Sequence, residues 1–198
     1  MDGGRRLRAW GCDEGGFSTS LLEERGYMLG EGTEVHRRRS LIEPISVPEV
    51  PPGITVRSLG GSEEIPARSW ASWRGFHPDE PDEDYEGWEW YLNVQRMPLY
   101  RRDLDIVAVA ETGDIASMTT VWYDDVTRSG YFEPVATVPE YRRMGLASQV
   151  ISEGMRRLKA MGADLALIGT GEGMAANEVY GALGFEVYLR SEAWYKDL

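Results

Sequence analysis

The apolar positions along the chain change period repeatedly, and these changes predict alternating strands and helices. Short β-rich runs predict strands at 54–58, 105–110, 115–123, 130–138, 164–169, 185–189 and 193–196. Apolar residues at helical spacing predict helices over 62–73, 82–96, 145–161 and 175–183. The pattern predicts a mixed α/β fold with a mostly antiparallel sheet and one strand–helix–strand crossover.

A proline cluster interrupts this pattern. Pro44, Pro48, Pro51 and Pro52 cannot lie inside a helix and predict an extended linker. We therefore expect a domain boundary near residue 50, with an N-terminal extension over 1–50 and the main domain over 51–198. Within the extension, the pattern predicts a helix that ends at Gly26 and a strand at 34–38.

Composition and charge narrow the function classes. The 198 residues include 21 Lys and Arg against 33 Asp and Glu, a net charge of −12. This balance argues against nucleic-acid or anionic-membrane partners. The chain has no apolar run of about 18 residues and no apolar core of a signal peptide, so we expect a cytoplasmic protein. With one cysteine and two histidines, the sequence predicts no metal site and no disulfide framework.

The segment most informative about chemistry is 133–148, where a strand leads through a glycine-containing turn into a long amphipathic helix. The first-turn N–H groups of such a helix can bind a phosphate or pyrophosphate. Gly145 and Ala147 leave room at the helix start, and Arg142 and Arg143 add positive charge. The alternative is an ordinary strand–helix connection. The segment is neither a P-loop nor a dinucleotide-binding fingerprint, because neither glycine pattern occurs in it.

Two motifs together resemble the GNAT family of acyl-CoA-dependent N-acyltransferases. The sequence Arg142-x-x-Gly145-x-Ala147 is similar to the family's pyrophosphate-binding motif. The later segment from Val179 and Tyr180 to Leu183-Gly184-Phe185 is similar to its second motif. Their order and spacing also match, and the resemblance covers roughly residues 54–198.

The resemblance implies a set of site residues for acetyl-CoA. Val135, Ala136 and Thr137 would lie on the strand that pairs with the pantetheine arm. The pyrophosphate would be held by the backbone N–H groups of six successive residues, Arg143, Met144, Gly145, Leu146, Ala147 and Ser148. Tyr180 would reprotonate the leaving thiolate, since a phenol with a pKa of about 10 is a competent donor. The family often has Asn where this chain has Gly173, so Asn177 either replaces that contact or faces solvent.

The general base is the second catalytic assignment. An amine must lose a proton before it attacks the thioester, and Glu133 lies on the strand before the turn. The alternative is an exposed glutamate at an edge, with Asp124 and Asp125 as further candidates. Pro134 predicts a local irregularity in this strand.

The segment expected to bind the acceptor amine has a distinctive composition. Seven carboxylates and no Lys or Arg lie between residues 79 and 90, interleaved with Trp88, Trp90 and Tyr91. This composition suits a cationic amine. The alternative is a solvated acidic helix start with aromatic residues that face the core.

Residues 12–41 resemble the tail of a preceding GNAT-like domain, as in tandem members of the family. Such a remnant would pack on the main domain or on a second subunit, as in a homodimer; the alternative is a simple extension. The resemblance implies N-acetyl transfer from acetyl-CoA to a small primary amine by direct attack in a ternary complex. The alternatives are a non-catalytic acyl-CoA-binding scaffold and an enzyme that acetylates protein amines.

Overall fold

The structure, a computed structural model, describes residues 5–12 and 17–198. The stretches of the predicted extension at 1–4 and 13–16 lie outside the described residues. In chain order the strands and helices are β1 (Arg6–Cys12), α1 (Phe17–Glu24), β2 (Met28–Ser40), β3 (Ile54–Ser58), α2 (Ile65–Phe76), α3 (Tyr91–Gln95), β4 (Asp105–Ala110), β5 (Ile115–Asp124), β6 (Ser129–Thr137), α4 (Leu146–Ala160), β7 (Leu165–Gly171), α5 (Ala176–Ala182) and β8 (Glu186–Asp197).

The chain forms two compact units. The terminal unit contains the described parts of Met1–Arg39 together with Ile168–Leu198, and the middle unit is Ser40–Leu167. The domain boundary near residue 50 stays a prediction.

The terminal unit is built around β8. This strand pairs antiparallel with β1, from Arg6 opposite Asp197 to Cys12 opposite Ser191, and on its other side with β2. β1 was not predicted, because its partner lies at the far end of the chain and contributes nothing to the local period. The two predicted closing strands form one continuous strand. The predicted helix end at Gly26 is confirmed, with φ of 75° at that residue.

The middle unit is an antiparallel sheet with strand order β6-β5-β4-β3. Helix α2 packs on one face, where Ala71 joins Val107 and Met118 in one apolar cluster. Helix α4 packs on the opposite face, where Leu146 and Val150 join residues of β4 and β5 in a second cluster. The alternation of strand residues between the two faces follows from the period of two. None of the described helices is long and apolar enough to cross a bilayer.

The proline-rich segment forms no helix or strand and lies along α4. Gln149 Nε2 donates to the carbonyl oxygens of Pro48 and Glu49 at 2.9 and 2.7 Å. Lys159 Nζ donates to those of Ile42 and Glu43, both at 2.9 Å. The linker is therefore held against α4 by side-chain donors that satisfy its backbone carbonyls.

The predicted helix over 82–96 is wrong for most of its length. A single 3₁₀ turn forms at Asp82–Asp84, the backbone is then irregular, and only Tyr91–Gln95 is α-helical. Gly87 has a φ of 98°, which a helix interior does not accommodate. Carboxylates of like charge at helical spacing also disfavour a helix here.

A buried ion pair holds α2 to the sheet. Arg68 and Asp105 are both fully buried, and Arg68 Nε lies 3.1 Å from Asp105 Oδ1. Arg68 Nη2 donates to Thr120 Oγ1 at 2.8 Å, and the guanidinium lies 4.5 Å over the ring of Tyr91. Among the described residues, Arg68 Nη1 has no hydrogen-bond partner. Tyr91 and Tyr100 both donate to Asp105 Oδ2, at 2.6 and 3.0 Å. Burial raises the pKa of both phenols well above the usual range, so they remain donors.

Removing one member of this buried pair should lower the free energy of unfolding far more than removing one member of an exposed ion pair. Arg68→Met leaves the carboxylate of Asp105 buried and unpaired, so we expect a loss of about 3–5 kcal/mol in the free energy of unfolding. Arg101→Met, which removes the half-exposed partner of Asp103, should cost no more than about 1 kcal/mol. Urea denaturation of both variants measures the difference. Equal, small losses would contradict this account of α2.

Candidate functional site

The turn between β6 and α4 has an unusual backbone. After a 3₁₀ turn at Pro139–Tyr141, Arg142 is extended, Arg143 has a φ of 65° and Gly145 a φ of 76°. A Cβ at Gly145 would meet no atom within 4 Å, so its φ, and not crowding, is what favours glycine. Residues with positive φ in a tight turn can direct backbone N–H groups toward one point. Such a concavity binds anions.

The first turn of α4 adds to this concavity. Gly145 is the N-cap, and its carbonyl accepts from Gln149 N at 3.2 Å. Because glycine has no side chain, it provides no side-chain acceptor for the N–H groups of Leu146, Ala147 and Ser148. These groups and the positive end of the helix dipole favour a phosphate. Leu146 is buried and anchors the helix start, whereas Arg143 and Met144 are exposed.

The side chain of Arg142 stabilises the turn. Its guanidinium donates to the carbonyl oxygen of Thr137 at 3.3 Å and to that of Gly75 at 2.9 Å. The turn is thereby tied both to the end of β6 and to the last turn of α2. The side chain thus has a structural role, and its predicted contact with a cofactor stays a prediction.

Strand β6 supplies the three residues predicted to face the pantetheine arm. Val135, Ala136 and Thr137 lie opposite Thr119, Met118 and Ser117 of β5. Ser117 Oγ donates to the carbonyl oxygen of Ala136 at 2.9 Å and lies 2.9 Å from Thr137 Oγ1. One edge of β6 is therefore fixed by β5 up to the point where the turn begins.

The predicted irregularity at Pro134 is confirmed. The register shifts between Thr119–Val135 and Val121–Phe132, so Glu133 and Pro134 together lie opposite Thr120 alone. This is a β-bulge, which suits proline because proline has no N–H for the ladder. Glu133 is exposed, and its carbonyl accepts from Trp122 Nε1 at 2.7 Å. The carboxylate is accessible to solvent, and its role as a base stays a prediction.

Of the two alternative bases, Asp124 is engaged in a turn, and the role of Asp125 stays a prediction. Asp124 accepts from Val126 N at 3.0 Å and from Thr127 Oγ1 at 2.7 Å at the end of the β5–β6 hairpin. The hydrogen bond from Thr127 lowers the pKa of Asp124, which makes it a weaker base. It serves the turn.

Helix α2 approaches β6 closely. Pro66 lies in the first turn of α2, where its missing N–H is not needed. At the other end, a Cβ on Gly75 would lie 2.7 Å from that of Ala136 and 3.4 Å from the backbone of Thr137. Only glycine permits this approach, which places the end of α2 against the strand of the candidate site.

A cleft of about 490 Å³ opens beside this end of α2. Five ring side chains line it, those of Trp73, Phe76, His77, Tyr85 and Trp90, together with the carboxylates Asp84 and Glu86. We call it the aromatic cleft. The acidic segment is evident in the sequence, whereas the place of His77 and the α2 residues in this cleft is not, because their approach to residues 84–90 is a tertiary contact.

Tyr180 and Asn177 belong to the terminal unit. Tyr180 lies in α5 with 5% of its surface exposed, and its ring centroid is 6.4 Å from that of Phe185. Asn177 Oδ1 accepts from Arg37 Nε at 3.2 Å, and Nδ2 donates to the carbonyl oxygen of Gly171 at 2.9 Å. The Asn177 amide thus holds the loop before α5, and its contact with a cofactor stays a prediction. Gly173, in that loop, has a φ of 78°.

The described residues, 5–12 and 17–198, include no candidate metal site. Within them, no three His, Cys, Asp or Glu side chains come close enough together to hold a metal ion.

Comparison with protein families identifies one match. The model of the acetyltransferase (GNAT) family matches residues 63–185, which is more than half of the chain. The matched range includes the turn, β6, the aromatic cleft and Tyr180. No curated protein is similar enough to the sequence to match it.

Solved structures show the same fold. A GCN5-related N-acetyltransferase from Sphaerobacter thermophilus has a TM-score of 0.80 at 18% identity, over 98% of this chain and 60% of that chain. A tandem GNAT protein from the clavulanic acid biosynthesis pathway has a TM-score of 0.79 at 16% identity, over 97% of this chain and 64% of that one. This chain thus spans less than two thirds of either protein. At these identities the likeness confirms the predicted fold and no more.

The contact between Gly75 and Ala136 can be tested with two helix glycines. Alanine normally stabilises a helix by about 1 kcal/mol over glycine. Gly181→Ala in α5 should show this gain, because its Cβ would meet only Arg37 Nη1, at 3.8 Å. Gly75→Ala should instead destabilise the protein, because its Cβ would clash with Ala136. Thermal unfolding of both variants gives the sign of each change, and a gain at Gly75 would show that α2 does not need this approach.

Proposed function

The chain belongs to the acetyltransferase (GNAT) family, and from that premise we propose that it transfers an acetyl group from acetyl-CoA to a primary amine. The observation that carries the proposal is the anion-binding turn at 142–148, at the end of a strand that is fixed along one edge. A pyrophosphate is the part of acetyl-CoA that such a turn recognises.

The turn and β6 bind different parts of the acyl donor. The N–H groups from Arg143 to Ser148 bind the pyrophosphate. The backbone of Val135, Ala136 and Thr137 pairs with the amides of the pantetheine arm, as a neighbouring strand would. A backbone N–H on this strand polarises the thioester carbonyl and stabilises the negative oxygen that forms during attack.

The reaction then needs one base and one acid. The ammonium form of the acceptor gives a proton to Glu133, directly or through a water molecule, and the neutral amine attacks the thioester carbon. The new C–N bond forms, the C–S bond breaks and the thiolate of CoA leaves. Tyr180 gives its phenolic proton to that thiolate and regains one after the amide loses its extra proton. Binding both substrates in one complex supplies the proximity that the attack requires.

A second candidate function is a non-catalytic acyl-CoA-binding module of the same fold. Gly173 stands where the family often has asparagine, and the Asn177 amide is occupied by Arg37 and Gly171. Acetylation of protein amines is a further alternative for the acceptor. The cytoplasmic location, the homodimer and the absence of nucleic-acid and membrane partners remain predictions from the sequence.

Release of free thiol from acetyl-CoA over a panel of primary amines tests the proposal. With an active amine, Tyr180→Phe should lower kcat by about 10²- to 10⁴-fold, because the thiolate loses its proton donor, while the Kd for acetyl-CoA stays unchanged. Tyr188→Phe, a tyrosine on β8, is the matched control and should retain full activity.

Two other results would change the conclusion. Equal activity of Tyr180→Phe and the unmodified protein would remove Tyr180 from the mechanism. Acetyl-CoA binding without turnover on any amine or protein N-terminus would favour the scaffold.

A further inference from the structure

The aromatic cleft has the size and composition of a small-molecule site. Its volume of about 490 Å³ lies within the usual range for ligand pockets, about 300–1,000 Å³. It lies wholly within the middle unit, between the second half of α2 and residues 84–90. Neither the pyrophosphate turn nor the strand of the acyl donor forms part of its lining, so it is available to a second molecule.

The rings on the α2 side are held rigidly. Trp73 stacks on His77 with an interplanar angle of 20° and a centroid distance of 5.3 Å. Its centroid is also 5.3 Å from that of Trp70 and 5.5 Å from that of Tyr85. The Nδ1–H of His77 donates to the Trp73 carbonyl oxygen at 2.9 Å, which fixes the imidazole. A ligand that meets preordered rings loses less affinity to side-chain ordering.

Two other rings present open surface. Phe76 is 57% exposed and Trp90 is 49% exposed, although large apolar side chains are normally covered. Trp90 packs edge-on against the buried Tyr91, at 5.4 Å and 88°. Its position is therefore fixed while part of its surface stays in contact with solvent.

The charge at the cleft is negative. Asp84 and Glu86 line it, and none of the described residues that line it is Lys or Arg. The nearest basic residue in sequence, Arg74, is engaged elsewhere. It donates to the carbonyl oxygens of His77 and Glu80 at 3.3 and 3.0 Å and lies 4.0 Å from Asp82. Aromatic faces together with carboxylates attract an organic cation.

From these observations we propose that the aromatic cleft binds an organic ammonium ion with an apolar skeleton. Phe76 directly follows Gly75, the residue in contact with Ala136 of β6. If the proposed transfer takes place along β6, the ion in this cleft is its acceptor. That last assignment rests on the proposed function, whereas the binding of the cation does not.

The structure also distinguishes which carboxylates matter. The sequence offered seven carboxylates between residues 79 and 90 and did not distinguish among them. Asp82 faces Arg74 instead, and Glu83 is exposed and outside the lining, so Asp84 and Glu86 are the carboxylates of the cleft.

The test compares benzylammonium with benzyl alcohol, which have similar shapes and differ in charge. Isothermal titration of the full chain without acetyl-CoA measures binding alone, because no transfer can occur. We expect benzylammonium to bind roughly tenfold more tightly than the alcohol. Glu86→Gln and Trp90→Leu should each weaken binding of the cation several-fold and leave that of the alcohol less affected or unchanged. Glu83→Gln is the matched control and should have no effect.

Three results would overturn the proposal. Equal affinity for the two probes would show an apolar pocket without preference for charge. No binding of benzylammonium would show that the cleft is not a cation site. An equal loss in Glu83→Gln and Glu86→Gln would attribute the attraction to the general field of the acidic segment. Because acetyl-CoA is absent, none of these results depends on whether the protein is an acetyltransferase, and thiol release tests that separately.

Discussion

The buried ion pair between Arg68 and Asp105 holds both walls of the aromatic cleft. Two buried charges need nearby polar groups to compensate for lost hydration, and here Thr120 accepts from the guanidinium while Tyr91 and Tyr100 donate to the carboxylate. Arg68 fixes α2, whose second half forms one wall and reaches β6. Tyr91 fixes the start of α3, directly after Trp90 on the other wall. A packing interaction deep in the middle unit thus determines the geometry of a surface site.

The second constraint is the course of β6. A bulge at Glu133 and Pro134 is followed by three regularly paired residues and then by a turn with two left-handed residues. A left-handed arginine such as Arg143 costs about 1–2 kcal/mol. The turn keeps this conformation because Arg142 ties one end to β6 and α2, and the buried Leu146 anchors the other. The conformation that the proposed anion site requires is therefore held by contacts within the protein, and such preorganisation lowers the cost of binding.

The sequence was sufficient where local chemistry decides the structure. The start of α4 directly after Gly145, the irregularity at Pro134 and the end of α1 just before Gly26 follow from residue type and spacing. It was insufficient where distant segments decide. β1 forms because β8 pairs with it. Residues 84–90 form a cleft wall and not a helix because the positive φ of Gly87 and repulsion between the carboxylates disfavour a helix. His77 lines the cleft only because α2 packs beside residues 84–90. The hydrophobic period along the sequence does not reveal such a tertiary contact.

Equilibrium binding of acetyl-CoA to the full chain, measured by isothermal titration, tests the central claim most directly. The account predicts saturable binding at one site, weakened roughly tenfold or more by Gly145→Ala, since the left-handed turn would be disturbed. Gly113→Ala is the matched control, because Gly113 also has a positive φ of 92° and open space at its Cβ but lies in the β4–β5 hairpin. It should bind as the unmodified protein does. No binding by the unmodified protein, or equal weakening in both variants, would contradict the assignment of the turn as the acyl-CoA site.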